Sequence, residues 1–474
     1  MLLRLAQSSL QIAATLCVAA CAITRVDPPP PVTPPASYKE AGLWQHAATT
    51  SAPAVPDEWW TMFGDPVLDD LERRLVIGNE NLKVALAQVA SARATYVASR
   101  AALWPTLSAA VVATRSGTTQ STPAGAQSTQ NPSNSLSAGV VASWEIDLWG
   151  QLSQASSEAQ ASYQASADDL AAARLSAQAT LAQTYFLMRT AEIQQALLER
   201  TAQGYQRSLD LAQVRFEGGI AARTDVLLAK TQLTGAQAQA IESATQRSQL
   251  EHAIAVLLGI PPSTFEIARS GKLPTVPVVP EMLPAALLER RPDIAAAQRR
   301  VAAAYWQIGV ADAAFFPQLT LSASATYRNS VLGNLFSAPN LFWSLGPSLA
   351  LAILDGGQRQ LASSQARAGA DQATATYRQS VLTALQEVED NLVLADQLQQ
   401  QARLQTEALE AAQRNLEITL EQYRAGTVGY VNIVVAQVLA LNNESSLIVL
   451  QSRQLEAVNQ LLKNIAGRWE SVPG

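Results

Sequence analysis

The chain has 474 residues, of which 15% are charged and 6% aromatic; Lys plus Arg number 33 and Asp plus Glu 39, giving a formal net charge of −6. That mildly acidic balance excludes a nucleic-acid binder, which needs a basic face. The only cysteines, Cys17 and Cys21, sit near the N-terminus, and the two histidines, His46 and His252, lie far apart. The body therefore has no disulfide framework or Cys-based zinc site, and two histidines so far apart argue against His-dependent chemistry.

The chain opens with Met1-Leu2-Leu3-Arg4-Leu5, a short apolar stretch, and Val18-Ala19-Ala20-Cys21. A positive start, a short apolar region and small residues before a cleavage point describe a secretory leader. The stretch is too short, and too interrupted by Gln7 and Gln11, to span a bilayer. Val-Ala-Ala-Cys resembles the bacterial lipobox, which makes Cys21 the lipidated first residue of the mature chain. Ala22 rather than Asp after it implies sorting to the outer membrane. Residues 22–56 hold eight of the 23 prolines and read as an extended tether. No later run of about 18 apolar residues is visible, so no membrane-crossing helix is expected.

Proline is absent from Ser133 to Ile260 and from Ser348 to Val472. Proline in a helix interior costs about 3 kcal/mol, so these Ala-, Gln- and Leu-rich runs are predicted to be mostly helix. The first long helix should cover about Gln151 to Phe216, break at Glu217-Gly218-Gly219 and resume near Thr224. The second should cover about Gln358 to Arg424 and break at Ala425-Gly426-Thr427. Each would be roughly 100 Å long and must pack along neighbours of similar length. In the second, Val381, Leu385, Val388, Leu392, Ala395, Gln399, Ala402, Thr406, Leu409, Gln413, Leu416, Leu420 and Tyr423 follow a strict 4-3 spacing, the mark of a coiled-coil seam. In the first, Leu181, Tyr185, Met188, Leu209 and Phe216 form a less regular one. Shorter flanking helices, about Pro66 to Trp104 and Thr224 to Leu258, would match one long helix if stacked end to end.

Preceding the long helices, short segments alternate with period two. Leu319, Leu321, Ala323, Ala325 and Tyr327 oppose Gln318, Thr320, Ser322, Ser324, Thr326 and Arg328. Leu136, Ala138, Val140, Ala142, Trp144, Ile146 and Leu148 alternate with small or polar residues. Residues 106–114 and 344–354 alternate less strictly. Each is about the length that crosses a bilayer as a tilted strand. The joining loops, Gly117 to Asn134 and Asn329 to Phe342, are polar or punctuated by glycine and proline. Four strands cannot close a barrel and open edges are not tolerated in lipid, so several copies must pool their strands.

The order helix, two strands, long helix, turn, helix occurs twice. Phe216 to Lys230 aligns with Tyr423 to Gln437, and Gly150-Gln151 with Gly357-Gln358, both at an offset of 207 residues. Residues 1–20 are thus leader, 21–57 lipidated tether, 58–270 the first repeat and 271–474 the second.

Together these features resemble the TolC-like outer-membrane efflux factors, specifically the lipoprotein (NodT-type) branch that serves RND pumps. The residues that carry the resemblance span nearly the whole mature chain. They are Val18 to Cys21, Ser143-Trp144-Glu145-Ile146-Asp147-Leu148-Trp149-Gly150, Arg290-Arg291-Pro292-Asp293-Ile294 leading to Ile308-Gly309 and Phe316-Pro317, Leu354-Asp355-Gly356-Gly357-Gln358, and Tyr423-Arg424-Ala425-Gly426. The resemblance implies a mainly α fold with a transmembrane β part: a homotrimer with a long helical barrel in the periplasm and a shared twelve-stranded barrel in outer-membrane lipid. It implies a passive exit duct for drugs or other small molecules, without cofactor or catalysis, docked to a periplasmic adaptor (membrane fusion) protein and an inner-membrane RND-type pump. The turns at Gly218, Gly219 and Arg223 and at Gly426 and Gly429 would form the periplasmic tip that meets the adaptor. Related channels often carry an Asp shortly after the second turn. Here Val435 stands in its place, with Val431 one turn earlier, so these valines, with Tyr423, are expected to make an apolar aperture. Asp225 aligns with Asn432 and would either supply a charge near the tip or begin a helix.

Rival readings are the outer-membrane component of a type I protein secretion system, a structural coiled-coil envelope protein without membrane strands, and an enzyme. The last would use Glu145 and Asp147, expected on one polar strand face; no phosphate-binding loop of the Gly-x-x-x-x-Gly-Lys type accompanies them.

Overall fold

The computed structural model describes residues 27, 28, 30, 32–40, 42, 56–117, 132–279 and 290–466. Cys21 and His46 lie outside these residues. In chain order the main elements are α1 (Pro66–Gly78), α2 (Glu80–Ala101), β1 (Thr106–Ser116), β2 (Ser133–Ile146), α3 (Gln151–Glu217) and α4 (Arg223–Leu257), then α5 (Pro292–Ala313), β3 (Gln318–Asn329), β4 (Leu341–Ala350), α6 (Gln358–Arg424) and α7 (Tyr430–Ile465). The long helices α3 and α6 are each 67 residues, at the offset of 207 read from the sequence. Contacts divide the chain into two compact units. One is built chiefly from residues 89–166 and 297–377, the other from 32–88, 167–296 and 378–474.

In the first unit the strands form one antiparallel sheet in the order β1-β2-β3-β4. Its register gathers most apolar positions of the four strands onto one face, with Val112, Val141 and Phe342 on the other. Leu107, Ala109 and Val111 pair with Ala142, Val140 and Ala138. These continue to Ala323, Ala325 and Tyr327, and Trp144 pairs with Leu321. The row ends on Leu341, Trp343, Leu345, Pro347 and Leu349 of β4. A slip of one residue would turn a whole strand over, so the alternation fixes the register. Leu107, Val111 and Trp343 are 75%, 81% and 75% exposed in the single chain. β4 occupies Leu341–Ala350 rather than 344–354: it begins where Leu341 pairs with Tyr327, and it ends where Ala350 pairs with Gln318, because Pro317, just before β3, has no N–H to extend the ladder. Asp147 is not on the strand either. β2 stops at Ile146, and the Asp147 carboxylate accepts the N–H groups of Leu152 and Ser153 at 3.0 and 2.9 Å, capping α3. Trp149 stacks on Phe316 with centroids 4.9 Å apart and donates to the Pro317 carbonyl.

In the second unit the sequence from Pro66 onward breaks where one continuous helix was expected. Asn79 accepts the Leu82 N–H at 3.0 Å, starting α2, and donates from Nδ2 to the Leu257 carbonyl at 2.7 Å, finishing α4. The two helix ends meet so closely that a Cβ on Gly78 would lie 2.1 Å from the Leu258 oxygen, and one on Gly259 2.2 Å from the Gly78 oxygen. Asp65 caps α1 through the Val67 N–H, and its second oxygen accepts the Tyr185 hydroxyl. Trp59, Trp60 and Phe63 are buried beside it, with Phe63 on Phe186 at 4.8 Å. Ahead of them the tether is held to α6, where the N–H groups of Lys39 and Glu40 both donate to the Glu389 carboxylate, at 2.7 and 3.0 Å.

Helix α7 contains a window apolar and long enough to cross a membrane by composition, contrary to the reading of the sequence. Its buried side carries Gln437 and Asn459, which donate to Ser208 Oγ and the Ala179 carbonyl. Those bonds commit it to α3 rather than to lipid.

The linker after α4 is clamped by a buried ion cluster. Glu192 lies 2.8 Å from Arg189 and 3.0 Å from Arg247, which is 2.8 Å from Glu251. The same side chains seize the backbone of an extended segment. Glu251 accepts the Ile267 N–H, Arg247 donates to the Ile267 carbonyl, Arg189 donates to the Ala268 carbonyl, and Glu192 accepts the Ser270 N–H. Burial alone would raise the Glu192 carboxyl, but the hydrogen bonds and charges of Arg189 and Arg247 outweigh it and hold the group below its ordinary range.

Candidate functional site

The two helical turns close in the same way. Gly219 and Gly426 both take a left-handed conformation, with φ of 72° and 79°, which only glycine adopts freely. The Gly219 N–H donates to the Phe216 carbonyl and the Ile220 N–H to that of Arg215. At the other turn the Gly426 N–H donates to Tyr423 and the Thr427 N–H to Gln422. This is the double bond of a Schellman ending, and it satisfies carbonyls that a helix end leaves open. Gly218, Gly219, Arg223, Gly426 and Gly429 are all exposed at these turns.

Beneath the turns four helices share one core. Ala202, Tyr205, Leu209 and Ala212 of α3 meet Ala229, Leu233 and Ala236 of α4, Tyr423 of α6, and Tyr430 and Ile433 of α7. Tyr423 and Tyr430 pack edge to face with centroids 5.7 Å apart. Burial pushes the Tyr430 hydroxyl up to about 12, with Tyr423, Tyr205 and Asp225 nearby adding to it. Arg215 ties the first turn to the second. Its guanidinium lies 4.5 Å from the Tyr423 ring centre, and Nη1 donates to the Tyr423 carbonyl at 2.5 Å. Such a charge-assisted bond with a ring contact is among the stronger neutral-pH links.

Val431 and Val435 stand one turn apart on α7, 57% and 61% exposed, and Leu439 continues their stripe. Tyr423 does not share that surface; it is 3% exposed and holds the turn from behind. Asp225 sits in the first turn of α4, close enough to Tyr423 and Tyr430 to raise both. His252 is exposed, and Glu145 pairs with Thr320 on the polar face of the sheet. Arg215, Tyr205 and Tyr430 were not found from the sequence. The signal available was a mismatch between the halves, since Arg215 aligns with Gln422.

Residues 73–260 and 283–467 match the family described as outer membrane efflux protein. The pyoverdine export outer membrane protein OpmQ of Pseudomonas aeruginosa is 30% identical over 439 residues, covering 90% of this chain and 91% of that protein. The toluene efflux pump outer membrane protein TtgI of Pseudomonas putida is 30% identical over 433 residues, covering 90% and 89%. The solved outer-membrane channel OprN superposes with a TM-score of 0.85 at 27% identity, covering 94% of this chain and 99% of that one.

Proposed function

The chain belongs to the outer membrane efflux protein family, and from that premise we propose that three copies pool their sheets into a twelve-stranded barrel through which small organic molecules leave the cell. The observation that carries this reading is the sheet: one face is apolar except where Arg115, Asn134 and Asn329 end it, and among the described residues β1 and β4 each keep an unpaired edge. Its strands of 10 to 14 residues are long enough to cross the hydrocarbon core. Unpaired edges are costly in lipid, and strands from sister copies satisfy them.

The protein performs no chemistry in this scheme. A periplasmic adaptor meets the exposed turns at Gly218, Gly219, Arg223, Gly426 and Gly429, and an inner-membrane RND-type pump supplies the energy. Cys21 carries the lipid anchor. Val431 and Val435 of each copy form an apolar ring that excludes water when closed, and Tyr423 braces the turn beside it. Relatives named for pyoverdine export and toluene efflux support small organic cargo.

The test is reconstitution of the full-length protein in a planar bilayer, with chemical cross-linking in parallel. Discrete conductance steps and a cross-linked ladder ending at three are expected. A monomer that stays dissolved without detergent or lipid overturns the proposal.

A further inference from the structure

The β part of the chain carries almost no charge. Between Arg100 and Asp147 the only charged residues are Arg115 and Glu145, and between Asp312 and Asp355 the only one is Arg328. Arg115 pairs with Asn134 at the end of the apolar face, whereas Glu145 and Arg328 both belong to the polar face. They occupy opposite ends of it. Glu145 pairs with Thr320 and precedes the start of α3 at Gln151 by six residues. Arg328 pairs with Ser137, eight residues back along β2, next to the loop that joins β3 to β4. Its guanidinium lies 6.0 Å from the Phe342 ring centre, a contact that holds it over this face. Among the described residues no cation pairs with Glu145 and no carboxylate with Arg328. The rows between them hold hydroxyls such as Ser143, Ser322, Ser324 and Ser344, or apolar groups such as Val141 and Phe342, and no charge.

With the apolar face in lipid, this face lines the lumen, and three copies repeat each charge as a ring. At about 3.4 Å per residue and a tilt of about 40°, the two rings stand about 20 Å apart along the axis. Twelve strands about 4.8 Å apart at that tilt close a barrel of about 12 Å backbone radius, which side chains narrow to about 7 Å. The Debye length is about 10 Å in 0.1 M salt and about 3 Å in 1 M. In dilute salt each ring thus acts on the whole cross-section, and the two act separately; in concentrated salt each acts only at the wall.

We propose that Glu145 and Arg328 are the specificity-determining residues of the barrel section. Three carboxylates hold back anions at the end joined to the long helices, and three guanidinium groups hold back cations at the loop end. This rests on the duct reading and adds which side chains sort charge within it.

The test is the reversal potential of the full-length protein in a planar bilayer under a potassium chloride gradient centred near 0.1 M. Glu145→Gln should move the potassium-to-chloride permeability ratio toward chloride by about twofold or more, and Arg328→Gln should move it toward potassium by a similar factor. Serine variants at both positions repeat the measurement with the residue type that already fills this face. Glu145→Asp and Arg328→Lys should keep the original ratio. Every other charge in the duct is common to all these proteins, so the shift reports the substituted ring alone. In about 1 M salt the shifts should largely vanish. A ratio unmoved by the glutamine and serine variants, shifts of one sign at both positions, or shifts that persist undiminished in concentrated salt would overturn the proposal. Conductance with an unmoved ratio counts against the rings alone, whereas no conductance from the unaltered protein overturns the duct reading and the rings with it.

Discussion

The two repeats share a backbone and differ in what holds it. The first is pinned by buried charge: Arg189, Glu192, Arg247 and Glu251 lock the linker in place, and Arg215 reaches across to the other half. The second meets the same positions with Asp396, Gln399, Gln454 and Val458 around a cavity, and ends in a helix whose exposed stripe is Val431, Val435 and Leu439. At these matching positions duplication has thus produced one half that is fastened and one half with room and an apolar surface, while the second half keeps a separate buried cation, Arg291, 2.7 Å from both Asp293 and Glu387. A charge buried without its partner is expensive, so the fastened half should tolerate change poorly.

The largest difference between the halves is expected at the clamp. Glu192→Ala strands two buried guanidinium groups and should cost about 3–5 kcal/mol, whereas Gln399→Ala at the matching position should cost about 1 kcal/mol or less. The midpoint of loss of the helical signal in denaturant compares them, and equal costs would erase the distinction. Acid should act on the same group. Its carboxyl is held low in the fold, so its contribution is complete above the unfolded value of about 4.3 and disappears as pH falls through the lower folded value. Glu192→Ala should lack that acid step.

Next in size is the link between the halves. Arg215→Ala removes the bond to the Tyr423 carbonyl and the ring contact, a loss of about 1.5–3 kcal/mol. Faster amide exchange over residues 423–430, with residues 181–192 unchanged, is the expected signature. Smaller still, Gly219→Ala and Gly426→Ala each force a side chain into the left-handed region at about 1–2 kcal/mol. Similar melting shifts would confirm that the turns are equivalent in backbone, and a wide gap would break that equivalence. The smallest effect on stability, within about 0.5 kcal/mol, belongs to the exposed Val435→Ala. Its readout is closed-state leak in a planar bilayer, which should rise while Leu228→Ala, at the matching position in the first repeat, leaves leak unchanged.

Much of the fold was legible because the patterns are long. Two proline-free runs gave α3 and α6, and strict alternation gave β2 and β3. The break at Asn79 was hidden because it depends on Gly259, 180 residues away, pressing against Gly78. The ends of β4 were misplaced because the partner strand decides them: Tyr327 pairs with Leu341 at one end, and Pro317 just before β3 stops the ladder at the other. At the turns, Gly219 and Gly426 were visible as glycine in a helical pattern, since backbone conformation is a local matter. Arg215, Tyr205 and the clamp were not, because a buried polar residue looks like a surface one until its partner is located.

The equal length of α3 and α6 carries a consequence for how such proteins can change size. Seven residues added to one helix alone would advance its turn by about 10 Å and pull Gly219 and Gly426 out of level. Growth is then confined to matched insertions in both halves, taken up as well by the helices that return from each turn. Kin of different stature should differ by paired, near-heptad steps, never by a single lopsided one.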